Sequence, residues 1–319
     1  MKCNTAVLLL GFNRPESMQR VLERVRRATP SRVYFAVDGP RAHKEGETEI
    51  VKAVQALAAD IAWNCQVFTL FREQNLGCAQ AVSSAISWFF SQEEYGIILE
   101  DDCVPDPSFF QFCEEILLRY KDDDRVMHVS GSNFHKGWQN VPTESYYFSS
   151  VPLIWGWASW RRSWEMFDFE LKSLPELKKS GFLNQFLFNR KTVNTKVMKD
   201  LDDISSGTQN TIWGYQWLLS NYLNSGLSVV PNKNLIKNIG FEGSTTHDMD
   251  TRLDCEVESM SFPLVHPKYV KIDSVSDERY YEMYFKSSPA RRVRNLLELF
   301  FPKSFVKRFV QARQKLLWG

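Results

Sequence analysis

YGIILEDDCVPDPSFF, residues Tyr95 to Phe110, is the stretch on which the reading of the fold turns. Gly96-Ile97-Ile98-Leu99 is a short apolar run of the kind that forms a buried parallel strand. It stops at three consecutive acids, Glu100, Asp101 and Asp102. Pro105 and Pro107 then forbid continuation of the strand. A helix follows, capped by Asp106 or Ser108, with Phe109, Phe110, Phe112, Cys113, Ile116 and Leu117 as its apolar stripe. Three carboxylates at the carboxyl end of a buried strand repel one another and are costly without a neutralising cation. That edge is also where open α/β sheets bind ligands. Hard oxygen donors suit Mg²⁺ or Mn²⁺, which usually share their coordination with substrate phosphates. The plainer reading is a solvated acidic turn that caps the next helix.

Working outward, the chain alternates strand and helix. Thr5 to Leu10 (TAVLLL) is a second buried-strand candidate, followed by Gly11-Phe12-Asn13-Arg14-Pro15 and a helix through Met18, Val21, Leu22 and Val25. Arg14 can reach a phosphate or a base, or lie on the surface at a helix start. Arg32 to Val37 (RVYFAV) is a strand ending in Asp38-Gly39-Pro40. Asp38 can accept hydrogen bonds from a nucleoside, or serve only as a turn residue. Glu49 to Ala62 reads as an amphipathic helix and Cys65 to Phe71 as a strand. The loop Arg72 to Gly77 (REQNLG) opens a small-residue helix, Cys78 to Phe90, and Arg125 to Ser130 is one more strand. This pattern predicts an α/β fold with a mostly parallel central sheet flanked by helices.

The second half is less regular. Ser145 to Leu153 reads as extended, and Trp155-Gly156-Trp157-Ala158-Ser159-Trp160-Arg161 leads to a helix through Trp164 and Phe167. Pro175 to Leu201 reads as helical. Trp213-Gly214-Tyr215-Gln216-Trp217 opens another helix, stopped by Gly226, and Leu227 to Pro231 is a strand. Asn238 to His247 (NIGFEGSTTH) is a glycine-rich loop. The organisation predicted is a catalytic-type domain over 1–270, divided at 133/134, and a tail over 271–319.

Composition narrows the class. The 319 residues are 44% hydrophobic and 24% charged, an ordinary globular balance with a sizeable core. A net charge of +1 argues against a general nucleic-acid binder. The cysteines (Cys3, Cys65, Cys78, Cys103, Cys113, Cys255) have no C-x-x-C or zinc spacing and read as reduced, mostly buried thiols of a cytosolic protein. The apolar run Ala6 to Leu10 is too short for a signal peptide core or a membrane span. From Ala290 to Leu317 the chain carries Arg291, Arg292, Arg294, Lys303, Lys307, Arg308, Arg313 and Lys315 against one acid, Glu298, with apolar residues interleaved. That basic amphipathic pattern suits an anionic membrane surface, or a helix docked on the domain.

The ordered set GFNRP, NLG, ILEDDCVPDPSFF, WGWASW, WGYQW and NIGFEGSTTH, from about Ala6 to about His247, resembles the GT-A glycosyltransferases. It is closer to bacterial family-2-like sugar transferases and more distantly similar to the N-acetylglucosaminyltransferase I group. The resemblance implies a nucleotide-sugar donor, a UDP-sugar in first place, and a glycan or lipid-linked acceptor in surface polysaccharide synthesis at the inner face of the cell membrane. It implies that Phe12, Asn13, Arg14 and Asp38 face the nucleoside, with Asn75 and Gly77 beside them, and that Glu100 and Asp101 touch ribose and sugar. Asp102 would ligate Mn²⁺ or Mg²⁺, and His247 would complete the metal or diphosphate site. Trp155, Gly156, Trp157 and Trp213 would line the sugar and acceptor pocket. In inverting relatives a general-base Asp follows the first Trp of the WGYQW-like motif, and here that position is Gly214. Either another acid (Glu242, Asp203, Asp202 or Asp168) is the base, or the alignment slips, or activity is impaired. A sugar-nucleotide pyrophosphorylase lacks support, because GFNRPESM is not its glycine- and lysine-bearing signature, and no aspartyl-phosphatase motif follows a strand.

Overall fold

A computed structural model describes residues 3–183, 191–209, 211–240 and 253–285. The chain divides into two units, Met1–Asp277 and Glu278–Gly319. Of the second, only the end of helix α9 (Ser274–Phe285) is described, so the basic amphipathic stretch 290–317 lies outside the described residues.

The first unit opens with β1 (Val7–Gly11), α1 (Pro15–Ala28), β2 (Arg32–Val37), α2 (Glu47–Ala56), β3 (Gln66–Phe71), α3 (Cys78–Gln92) and β4 (Tyr95–Glu100). Then come β5 (Cys103–Pro105), α4 (Pro107–Arg119), β6 (Val126–Ser130), β7 (Tyr146–Ser149), β8 (Trp157–Trp160), α5 (Arg161–Trp164) and α6 (Leu174–Ser180). The order ends with α7 (Lys191–Ser205), α8 (Gly214–Leu223), β9 (Leu227–Pro231), β10 (Ile236–Asn238) and α9. The large sheet runs β3-β2-β1-β4-β8-β6-β9-β7. Its first four strands are mutually parallel, and β8 and β7 enter antiparallel.

Alternation along β1 explains how the sheet is clothed. Val7 and Leu9 face α1, α2 and α4, in one core with Met18, Val21, Val51, Val54, Phe109 and Phe112. Leu8 and Leu10 face the other side, against Ala85, Ile86 and Phe89 of α3 and a cluster of Trp157, Trp164, Trp213 and Trp217. A strand buried on both faces must be apolar at every position, which is why VLLL and GIIL read as continuous runs. Asp106 is the cap of α4, its carboxylate accepting from the backbone N–H of Ser108 at 2.8 Å.

Several expectations are corrected. Pro105 does not end all pairing: Cys103–Pro105 pairs antiparallel with Ile236–Asn238 in a separate two-stranded ribbon. A proline at the end of such a ribbon sacrifices no ladder donor. The helix expected over Pro175 to Leu201 is interrupted, because α6 closes at Gly181 in the left-handed region, φ 70°. The helix expected through Trp164 and Phe167 is the single turn Arg161–Trp164, after which the two rings stack at 4.2 Å. Of the extended segment 145–153, only Tyr146–Ser149 is strand. The cysteines described are free thiols; Cys3, Cys103, Cys113 and Cys255 are buried and Cys78 is exposed.

At the junction of the second core lies His128 on β6, fully buried and stacked on Trp157 at 5.0 Å. Trp217 Nε1–H donates to its Nδ1 at 3.1 Å, which leaves its Nε2–H to donate to the Leu153 carbonyl at 3.1 Å. Burial pushes its pKa down to about 3. The unfolded chain takes up this proton near pH 6.5 and the folded chain only far below, so stability falls as pH drops, by up to about 1.4 kcal/mol per pH unit. Urea midpoints measured from pH 7 to pH 5 will fall more steeply for wild type than for His128→Gln, whose amide can replace both hydrogen bonds without titrating.

Candidate active site

The carboxyl ends of β1, β2 and β4, with the start of α3, enclose a cavity of about 440 Å³. The parallel register sets Ala36, Leu10 and Glu100 side by side, so their side chains project to the α3 face. There they meet Cys78, Ala81, Val82 and Ala85 of α3, and Thr211 closes the wall. Phe12, Arg14, Asp38, Arg41, Arg72, Asn75, Gly77 and Asp101 complete it. Phe12, Arg14, Asp38, Asn75 and Gly77, all expected at a nucleotide site from sequence, thus share one cavity with both acids expected on the sugar side.

The acids carry the electrostatics. Burial first, then repulsion from Asp102 and Asp101, raises the Glu100 carboxyl to about 8. Burial also raises Asp101, to about 7, against the pull of Arg14 and a hydrogen bond from the Phe12 backbone. Arg14 Nη1 donates to Asp102 Oδ2 at 2.7 Å and lies 3.3 Å from Asp101 Oδ1. One guanidinium therefore serves two carboxylates, and Glu100 has no hydrogen-bond partner among the described residues. An all-oxygen donor set that already gathers a cation fits a hard divalent ion. Among the described residues no group of three or more His, Cys, Asp or Glu side chains forms a metal cage. Any such ion would take its remaining ligands from substrate oxygens or from outside the described residues, where His247 and Glu242 lie.

Asp102 is also fixed from the far side. The β5–β10 ribbon brings Ile239 N–H to the Asp102 carbonyl at 2.8 Å. That backbone bond leaves Gly240 against the carboxylate: a Cβ at Gly240 would overlap Asp102 Oδ2 and push the carboxylate from this position. The glycine-rich loop that carries His247 therefore departs from the site itself, although its own residues lie outside those described.

Asp38 is less free than its position suggested. Its carboxylate accepts from the backbone N–H groups of Gly39 (2.9 Å), Leu76 (3.0 Å) and Gly77 (3.2 Å) and from Asn75 Nδ2 (2.9 Å). Four donors fill the capacity of a carboxylate. Asp38 thus ties the NLG loop to the end of β2, and Asn75 reinforces the tie by donating to the Gly39 carbonyl at 2.9 Å. Asn13, also expected to face the nucleoside, is not part of the cavity wall; its Nδ2 donates to Glu47 Oε1 at 3.0 Å.

Other expected residues fall elsewhere. Trp157 and Trp213 are buried, stacked on each other at 5.8 Å, and neither they nor Trp155 and Gly156 line the cavity. Among the candidate bases, Asp202 pairs with Lys178 and Asp203 with Lys199. Asp168 accepts from the Ser173 backbone at 3.5 Å, and none of the three lines the cavity. Arg41, Arg72 and Glu47 were not among the residues expected at the site. Arg72 Nη2 donates to Ser84 Oγ at 2.8 Å. The signal that could have found Arg41 is a cation just after the Asp38-Gly39-Pro40 turn, at a strand's carboxyl end.

Residues 7–193, more than half of the chain, match Glycosyl transferase family 2. The chain belongs to that family, and its sheet is of the GT-A type. Among solved structures it is similar to a mannosyltransferase from Pyrobaculum calidifontis in complex with GDP-Man and Mn²⁺, at 14% identity and TM-score 0.33 over 57% of this chain and 47% of that one. It is also similar to S. aureus TarS, at 10% identity and TM-score 0.40 over 74% of this chain and 59% of that one. GlyE of Streptococcus pneumoniae gives 11% identity and TM-score 0.36 over 72% and 45% of the two chains. The matched region spans about half the length of the mannosyltransferase chain. A search of curated proteins found no match.

The Asp38 anchor has a measurable consequence. Asp38→Asn replaces one of two acceptor oxygens with a donor and leaves buried N–H groups unpaired, which costs about 1–3 kcal/mol. Chemical denaturation will show that loss; an unchanged midpoint would show that the loop holds itself.

Proposed function

We propose that this glycosyltransferase moves a sugar from a nucleoside-diphosphate donor, a UDP-sugar in first place, to a glycan or lipid-linked acceptor with inversion. The observation that carries the reading is the crowding of Glu100, Asp101 and Asp102 at the carboxyl end of β4, in and beside the cavity that holds Phe12, Asp38 and Asn75. Asp102, with Asp101 beside it, would hold a divalent cation. When bound, such an ion offsets the charge that gathers on the departing diphosphate. The chain's own part is binding and orientation: Arg14 supplies a guanidinium at the same acids, and the Asp38-anchored loop shapes one wall. The apolar side of α3 keeps water from the other wall. Pre-set geometry of this kind is a large part of what a transferase contributes.

The family relationship and the basic stretch 290–317 support an acceptor at a membrane surface, in surface polysaccharide synthesis at the inner face of the cell membrane. No helix among the described residues is long and apolar enough to cross a membrane. His247 is proposed as a further ligand of the metal or diphosphate, and Glu242 as the general base.

Calorimetric titration of UDP, CDP, GDP and ADP, each with and without Mn²⁺, tests the reading. Binding that requires Mn²⁺ and is abolished in Asp102→Ala is the expected result, with transfer lost in EDTA. A folded protein that binds no nucleotide would overturn it, and binding or transfer indifferent to EDTA would remove the metal.

A second reading, a nucleotide-binding module without turnover, draws on Gly214 and on the surface ion pairs of Asp202 and Asp203. A Cβ at Gly214 would meet the terminal methyl of Ile154 at 2.8 Å, a contact that a rotamer change relieves. On this reading wild type binds nucleotide without transfer and Gly214→Asp gains activity. Rapid wild-type turnover would dismiss it.

A further inference from the structure

Glu47, the first residue of α2, is buried although it carries a charge. Its carboxylate accepts from the Arg41 backbone N–H at 2.8 Å, from Arg41 Nε at 2.9 Å, from Arg41 Nη2 and from Asn13 Nδ2 at 3.0 Å. These bonds, the Arg41 side chain first among them, hold the carboxyl down at about 2. One side chain therefore braces the loops after β1 and after β2 against each other. It also fixes the Arg41 guanidinium, whose carbon lies 5.4 Å from the centroid of the Phe12 ring.

This brace shapes what the cavity can bind. The charge of Arg41 is matched by Glu47, so Arg41 is a poor anchor for phosphate compared with a guanidinium that lacks a partner. Its Nε and Nη2 edge is occupied, while Nη1 makes no hydrogen bond to a described residue. Arg41 also lines the cavity beside Phe12, on the wall where Asp38 has no acceptor capacity left. That wall offers a planar donor and an aromatic face, a combination that suits a heteroaromatic ring with a carbonyl at its edge.

We propose that Arg41 is a specificity-determining residue that donates from Nη1 to a carbonyl oxygen of the donor's nucleobase, and that Glu47 is the positioning residue that presents it. The proposal rests on the reading of this cavity as the nucleotide-sugar site. It places the base against Phe12 and Arg41 and leaves the diphosphate to the end of the cavity where Arg14 and Asp101 lie, with Asp102 paired to Arg14 beside it.

The test is calorimetry on full-length wild type, Arg41→Ala, Arg41→Lys and Glu47→Gln, with Mn²⁺ present. The probes are UDP, CDP, GDP, ADP and inorganic diphosphate. A lost hydrogen bond to a charged donor corresponds to roughly tenfold or more in affinity. Arg41→Ala and Arg41→Lys will weaken the preferred nucleoside diphosphate by about that factor, narrow its margin over ADP, and leave inorganic diphosphate unchanged. Lysine keeps the charge but lacks the planar fork, so it will not rescue. Glu47→Gln will shift the same margin in the same direction. Equal weakening of nucleotide and inorganic diphosphate would overturn the proposal in favour of a phosphate contact, and so would unchanged nucleotide affinity in folded Arg41 variants. Wild type that binds no nucleotide would overturn the donor-site reading as well, which separates the two failures.

Discussion

Three carboxylates placed where a buried strand ends are the constraint around which this protein is arranged. Glu100, Asp101 and Asp102 would drive one another apart in water, and burial sharpens the conflict by favouring their neutral forms. The fold contains the conflict locally. Arg14 reaches Asp102 and Asp101, and the Phe12 backbone donates to Asp101. Alternation along the strand sends Glu100 to the α3 face. What remains is an acid cluster with less positive charge than it needs, and that deficit is the chemical meaning of the site.

The architecture delivers the rest to that point. Four parallel strands bring their carboxyl ends together, so the loops after β1, β2 and β3 and the acids after β4 become neighbours despite wide separation in the chain. The small ribbon of β5 with β10 adds a later segment, and places Gly240 against Asp102. The tryptophan cluster fills the core beneath α3 and α8. Its rings are packing, and the WGWASW segment supplies β8, which pairs antiparallel with β4.

The walls of the cavity are held by saturated carboxylates. Asp38 collects four donors and fixes one loop, while Glu47 collects Arg41 and Asn13 and fixes two. A buried acid with a full set of donors is a rigid strut, because leaving any one of them costs a desolvated hydrogen-bonding group. Rigidity at the walls and unmet charge at the floor are complementary: on the proposed function, the first would set the geometry of a ligand and the second would supply the attraction.

Much of this was legible in the chain alone. Continuous apolar runs identified β1, β2 and β4, because a strand covered on both faces has no polar side to show. The order of the loops identified the sheet edge, and Glu100, Asp101 and Asp102 announced the site by being an acidic stop to a buried strand. The interruption of the helix at Gly181 and the short strand at Pro105 were not legible, since both depend on what lies across from them. Nor were the roles of Asp38, Arg41 and Glu47. Residue type tells what a side chain can donate or accept; only the tertiary structure decides how many of those capacities are already used. That is why the sequence by itself determined the four parallel strands, the family and the acidic floor of the site, and why β8, β10 and the assignment of the walls waited for pairings and distances that only the tertiary structure brings together.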